Sequence, residues 1–217
     1  MIARWFQSLT LCLDALPRAA AMNMAVDQAL LETTQEPVLR VYRWDEPSIS
    51  IGYSHDWKML KDSLPAWPVV RRWTGGGVVW HDSDTTYSLI VPTSDPWSRT
   101  RPLDSYHLIH RSLAEQMGDG LLAVEAERKE GAVCFQAPAL HDIMREGEKI
   151  AGAGQRRSRH GLLHQGSIRL VLDEGFWRGW AVQIADKVKV ITGPDTAVLA
   201  RAEDLVASRY GTSEWLR

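Results

Sequence analysis

Two stretches of this chain concentrate the residue types from which chemistry is built. The first, Arg71-Arg72-Trp73-Thr74-Gly75-Gly76-Gly77-Val78-Val79-Trp80-His81-Asp82, sets three successive glycines between an arginine pair and a His-Asp pair. Glycine has no Cβ, so such a run lets backbone approach a ligand closely and present its N–H groups. The arginines can neutralise a carboxylate or phosphate that the same amides hold. A merely flexible loop or a bulge carries glycines too, and it is the charged company that points to a ligand. Neither GxxxxGK[ST] nor GxGxxG is present, so the standard phosphate loops do not account for the stretch.

The second stretch is spread over Cys134-Phe135-Gln136-Ala137-Pro138, Glu148 to Arg157, and Leu162-Leu163-His164-Gln165-Gly166-Ser167-Ile168. Lys149 lies beside Gly147 in an expected hairpin. Such a lysine is ordinarily a solvated one, but Gly152, Ala153 and Gly154 again allow close backbone approach, and a neighbouring strand returns with His164 and Gly166. A metal site gathered from His81, Asp82, Cys134, His160 and His164 is set aside, because the region of His160 and His164 reads as strand rather than helix.

The elements that must position these residues follow from periodicity. Arg4 to Leu13 reads as a strand and Asn23 to Glu32 as an amphipathic helix ending before Pro37. Val38 to Trp44 and Ser48 to Tyr53 read as two strands of a hairpin turning at Asp45-Glu46-Pro47. Asp56 to Lys61 is an expected short helix, and strands at Val69 to Trp73 and Thr85 to Val91 flank the glycine loop. Residues 92 to 102 read as a surface loop, and Leu103 to Met117 has helical spacing stopped by Gly118 and Gly120. From Leu121 to Leu172 the pattern is strand-like, with turns at Glu146-Gly147 and near Arg159 to Gly161. Phe176 to Val188 and Ala197 to Tyr210 read as helices, the latter capped by Asp195 or Thr196. That order predicts an α+β fold with a mixed, largely antiparallel sheet flanked by helices.

Composition narrows the function class. The 217 residues are 45% hydrophobic and 24% charged, enough for a substantial core and, by default, one domain. A net charge of −2 provides no global basic field, which argues against a general nucleic-acid binder. Two cysteines, Cys12 and Cys134, are too few for a disulfide framework and fit a reducing, cytoplasmic setting. Cys12, in an early strand, reads as core. The apolar N-terminal stretch is interrupted by Gln7 and Asp14 and does not read as a leader, and no run is long enough to span a membrane. The ten tryptophans read mainly as packing residues.

Taken together, Arg-Arg-x-Thr-Gly-Gly-Gly with His-Asp and Tyr-Ser-Leu, then Lys-Ile-x-Gly-x-x-Gln-Arg-Arg and a His-containing Gly-Ser-Ile strand, resemble the lipoate-protein ligase A family. Asn-Met-Ala-x-Asp near residue 23 and Leu-Arg-x-Tyr-Arg-Trp near residue 39 fit as well, so the resemblance covers roughly residues 20 to 195. It implies a biotin/lipoyl ligase-like catalytic domain, expected to fill residues 1 to 217 with no C-terminal accessory domain. It also implies acyl transfer, joining octanoate or lipoate to a lysine of a lipoyl-domain protein. Carried over by motif position are Lys149, at the acyl carbonyl, and Arg72, Gly75, Gly76, Gly77 and His81; Gly152, His164 and Gly166 of the second stretch complete the expected substrate-binding set. The chain departs from the family pattern at Ala153-Gly154, at His164-Gln165 and at Gly52-Tyr53-Ser54-His55.

Two mechanisms occur in families of this kind. ATP-dependent ligases, which need ATP and Mg, form lipoyl-AMP from free lipoate. Cysteine-dependent octanoyltransferases take octanoate from acyl carrier protein and need no tightly bound cofactor. Cys-Phe-x-x-Pro at 134–138, about 15 residues before Lys149, resembles the second branch, in which the matching cysteine is the nucleophile. The expectation is therefore octanoyl transfer through a Cys134 thioester, with an ATP-dependent ligase and a non-catalytic lipoate-binding subunit as alternatives. The Gly-Arg-Gly-Arg-x-Gly-Arg type loop of biotin-protein ligases is absent.

Overall fold

A computed structural model describes residues 4–118, 121–122 and 139–217. In chain order the elements are β1 (Phe6–Leu13), α1 (Ala20–Thr33), β2 (Val38–Tyr42), β3 (Ser48–Ile51), α2 (Trp57–Leu60), β4 (Val69–Arg71), β5 (Val78–His81) and β6 (Thr85–Pro92). A 3-10 turn over Pro96–Arg99 leads to α3 (Pro102–Met117), β7 (Leu121–Leu122), β8 (Ile143–Arg145), β9 (Glu148–Ser158) and β10 (Gly161–Ile168). The chain then forms α4 (Glu174–Ile184), β11 (Ala185–Ile191), α5 (Thr196–Leu205), a π-turn over Val206–Tyr210 and α6 (Ser213–Leu216).

The strands form an eight-stranded sheet, ordered β11-β1-β2-β6-β10-β9-β8-β7, and a three-stranded sheet, β4-β3-β5. In the large sheet β1 lies parallel to both β11 and β2, and the remaining pairings are antiparallel. The expected α+β architecture with a mixed, largely antiparallel sheet is what the chain adopts. One face of the large sheet packs Leu89, Leu162 and Tyr87 against Ile109 and Leu113 of α3 and the fully buried Trp177 and Trp180 of α4. The other packs Val38, Ile90 and Leu163 against α1, which is itself covered by α5. Helix α1 is buried almost without interruption from Ala20 to Leu31 because it is the middle layer of that stack. Each large side chain so buried contributes roughly 1.5–3 kcal/mol.

The helix ends obey local chemistry. Carboxylates of Asp173 and Asp195 accept from the N–H of Phe176 and Val198 at 2.8 Å, capping α4 and α5. Gly118 ends α3 at φ +86°, a left-handed conformation suited to glycine.

Two sequence expectations fail. Strands β2 and β3 do not form a hairpin: β2 pairs with β1 and β6, whereas β3 sits between β4 and β5 in the small sheet. Between them Trp44 donates its indole N–H to Thr86 Oγ1 at 2.9 Å and stacks on His81, which anchors the connection before Ser48 opens the second sheet. The helix expected to reach Val188 stops at Ile184. From Ala185 the pattern changes to alternation, with exposed Lys187 and Lys189 and half-buried Val188 and Val190, and the segment pairs with β1. The loop expected over 92–102 contains the 3-10 turn, capped by Asp95.

Candidate active site

A cavity of about 110 Å³ lies on the α1 side of the large sheet, roofed by the glycine loop. Its walls come from Gly152 and Gly154 on β9, Gln165 and Ser167 on β10, Thr86 on β6 and Tyr42 on β2. These are consecutive strands, so the cavity crosses three interstrand spacings, about 14 Å. Lys149 and Asp142 stand at the β9 end, Trp44 and His81 at the β2 end.

At the β9 end, Lys149 Nζ pairs with Asp142 Oδ2 at 2.7 Å, with both side chains at most one-tenth exposed. The pair lies across the α-carbon of Gly152: a Cβ there would sit 2.6 Å from Lys149 Cε and 2.8 Å from its Nζ. Glycine at 152 is therefore the space in which the lysine lies. Asp142 also accepts from the N–H of Ala139 at 2.7 Å, which fixes the carboxylate relative to the start of β8.

The glycine loop is held by its own arginine. Arg72 Nη1 donates to the carbonyl and to Oγ of Ser50, each at 2.9 Å, and Nη2 donates to the carbonyls of Gly75 (3.1 Å) and Gly77 (2.8 Å). Gly76 sits at φ +93°, and a Cβ on it would come within 2.9 Å of Arg72 Nη2. Arg72, Gly76 and Gly77 all line the cavity, yet the guanidinium is spent on loop carbonyls rather than turned outward as a bare anion receptor.

At the β2 end, His81 Nδ1 bonds Asp84 Oδ2 at 2.8 Å and Nε2 bonds Ser50 Oγ at 2.8 Å. Burial pushes the Asp84 carboxyl up, but donors from His81, Ser167 and Thr86 outweigh it and hold the group below the ordinary carboxylate range. With an ionised Asp84 on Nδ1, and Ser50 Oγ accepting from Arg72, the bonding assigns the proton to Nδ1 and leaves Nε2 to accept from Ser50.

Beneath the cavity runs a buried polar chain. Arg40, fully buried, donates to Asp14 and to Asp27 at 2.8 Å. Asp27 in turn accepts from Gln165 Nε2 at 2.7 Å, while Gln165 Oε1 accepts from Thr74 Oγ1 at 2.7 Å. The early helix, β2, β10 and the glycine loop are thus wired together through charge-assisted bonds.

Comparison with known proteins gives this geometry a context. Residues 19–194 match the lipoyl protein ligase A/B catalytic domain. The chain belongs to that family. A protein of Geobacillus kaustophilus named octanoyltransferase LipM is 37% identical over 177 residues, covering 71% of this chain and 63% of the relative. The LipM of Brevibacillus brevis is 30% identical, with 90% of this chain and 94% of the relative covered. The chain spans about 63–66% of the length of the first three such relatives. Among solved structures, a T. acidophilum lipoate protein ligase with bound lipoic acid superposes with a TM-score of 0.69 at 21% identity, over 96% of this chain and 98% of that one. A lipoate-protein ligase A bound with ATP gives 0.68 at 20% identity, over 97% and 98%. These two likenesses concern the fold.

Within this family frame, the structure brings Lys149, Arg72, Gly76, Gly77, His81, Gly152 and Gly166 to one cavity. Gly75 stands in the same loop, its carbonyl against Gly154. His164 is a correction: it does not line the cavity. It alternates with Gln165 along β10, so it points to the α3–α4 face, fully buried, bonded to Tyr87 OH (3.1 Å) and Gln155 (3.0 Å). Burial, with His110 and Arg157 nearby, drives its pKa well below the ordinary histidine value. Cys134 lies outside the described residues. Cys12 is core as expected, its thiol pushed up to about 12 by burial.

Sequence reading missed Asp142, Ser50, Asp84, Asp27 and Gln165. His81 was read with its neighbour Asp82, which is exposed, whereas the bonded carboxylate is Asp84 at i+3. The only sequence cue to Asp142 was a carboxylate shortly before the lysine, in a region read simply as strand.

Proposed function

We propose that this chain is an acyltransferase of protein lipoylation that attaches an octanoyl or lipoyl group to the acceptor lysine of a lipoyl-domain protein. Its route is octanoyl transfer from acyl carrier protein through a Cys134 thioester, without ATP. The observation that carries the reading is the buried Lys149–Asp142 pair at one end of a cavity whose other end is walled by Tyr42, Trp44 and Val79. An elongated cavity with a fixed cation at one end suits an acyl chain whose carbonyl is to be attacked. The LipM relatives support octanoyl over lipoyl transfer.

In this reading the Cys134 thiolate attacks the carbonyl of the donor thioester. The bond to the donor sulfur breaks, and the donor leaves as a thiol with the proton that Cys134 gave up. The acceptor lysine, as the free amine, then attacks the acyl-cysteine; the amide forms, the C–S bond breaks, and Cys134 regains a proton from the attacking nitrogen. Each attack places negative charge on the carbonyl oxygen. An ammonium beside that oxygen lowers such barriers by about 3–4 kcal/mol. Asp142 holds Lys149 in place against Gly152, so the cation needs no rearrangement when charge develops.

The test is incubation with octanoyl acyl carrier protein and no ATP, followed by intact mass measurement. An octanoyl adduct that is absent in Cys134→Ser, and transfer to a lipoyl domain reduced at least 100-fold in Lys149→Ala, are the expected results. Modification that requires ATP and survives Cys134→Ser would overturn the thioester route.

A further inference from the structure

The Lys149–Asp142 pair depends on a turn in an unusual conformation. Asp142 closes a tight turn, its N–H donating to the carbonyl of Ala139 at 3.0 Å and its carboxylate accepting from the N–H of Ala139. The residue before it, His141, sits at φ +71°, a left-handed conformation that a residue with a β-carbon seldom adopts. A contact from outside the turn helps to hold that conformation.

The holding group comes from α3. His110 Nδ1 bonds the carbonyl oxygen of His141 at 2.7 Å, and one helical turn earlier the ring of His107 packs edge-on against the ring of His141 at 4.9 Å. A carbonyl only accepts, so Nδ1 carries the proton. His110 itself is held in the core: it is 1% exposed, in edge-on contact with the rings of Tyr106 and His164, and lies midway along a helix that packs on α4. Burial lowers its pKa despite the bond to His141, which keeps the ring neutral. Its Nε2 is buried with no hydrogen-bond partner among the described residues. A leucine at this position would fill a comparable volume of that core without the Nδ1 donor. The histidine earns its place through Nδ1.

We propose that His110 is a positioning residue: its Nδ1–H holds the His141 carbonyl, and through it the left-handed turn that presents Asp142 to Lys149. The proposal rests on the reading of Lys149 as the cation at the acyl carbonyl. It adds that the geometry of that cation is set from α3, on the opposite face of the sheet from the glycine loop.

The decisive comparison is His110→Leu against His110→Asn. Asparagine puts an amide N–H where Nδ1 stood; leucine fills the space without a donor. With octanoyl carrier protein as donor, His110→Leu is expected to lose roughly ten-fold in kcat at unchanged KM, with a melting temperature close to that of the parent. His110→Asn is expected to regain most of the kcat. A purely structural histidine predicts the reverse coupling, activity falling only as stability falls. Unchanged kcat in His110→Leu, or failure of Asn to restore it, would overturn the proposal. Crystal structures of both variants provide a readout independent of turnover: the 2.7 Å Lys149–Asp142 contact should be lost in Leu and kept in Asn. A pair left in place in Leu would sink the idea even if the protein transfers no octanoyl group. Inactivity of the parent chain, by contrast, would count against the proposed function alone.

Discussion

At the scale of single residues, the cavity works by giving every buried charge a partner whose position is itself fixed. Asp84 shows this best, accepting from His81, Ser167 and Thr86 while almost wholly buried. Burial alone would raise its pKa; the three donors reverse that, so the folded state prefers the ionised form more than the unfolded chain does. A depressed folded pKa contributes stability above the unfolded carboxylate pKa, and that stability is lost as pH falls through the folded value. Asp84→Asn is therefore expected to cost about 2–3 kcal/mol at pH 7, measured by urea unfolding. The difference from the parent should shrink on acidification below the ordinary carboxylate range. A gap that stays constant with pH would show that ionisation of Asp84 is not its source.

At the scale of elements, the glycine loop is a packed object rather than a slack one. Its carbonyls face Arg72 on the inside and rest against two other glycines: a Cβ on Gly52 would lie 1.8 Å from the carbonyl oxygen of Gly76, and one on Gly154 would lie 2.4 Å from that of Gly75. Gly75, by contrast, has open space where a Cβ would go. Gly52→Ala is expected to destabilise by about 3 kcal/mol through forced loop displacement. Gly75→Ala should stay within about 0.5 kcal/mol of the parent. Denaturant midpoints of the two variants test this; equal midpoints would mean that the loop yields freely. Here the sequence was legible only in part. Three glycines announce close approach, and Gly76 and Gly77 do line the cavity; the packing of the loop against Gly52, just beyond β3, and Gly154 on β9 is specified by no local pattern.

At the scale of the whole molecule, long periodic segments such as Leu103 to Met117 and the β9–β10 hairpin could be read directly, because their neighbours in sequence are their neighbours in space. The separation of β2 from β3 could not, since a turn at Pro47 serves two sheets as well as one hairpin. Nor could the tie between the last residues and the glycine region. Arg71 donates to the carbonyls of Tyr53 and His55 on one side and of Trp215 and Leu216 on the other, while Trp215 Nε1 returns a bond to the Arg71 carbonyl. Around it Tyr53, Arg156, Trp73, Arg209 and Trp215 close a ring of aromatic and cation–π contacts. Arg71→Met should accelerate amide exchange at 213–217 and 53–55 by about ten-fold, or ~1.4 kcal/mol, and leave β10 unaffected. Equal acceleration throughout would point instead to global loosening.

One buried group can report on the integrity of the fold. Cys12 sits on β1, the second strand of the large sheet, fully buried with its thiol pushed up to about 12, so at neutral pH almost none of it is thiolate. Cys12 is therefore expected to take no label from a neutral-pH electrophile while the fold is intact. Label located at Cys12 by peptide mass mapping only after unfolding would mark the opening of the core around β1.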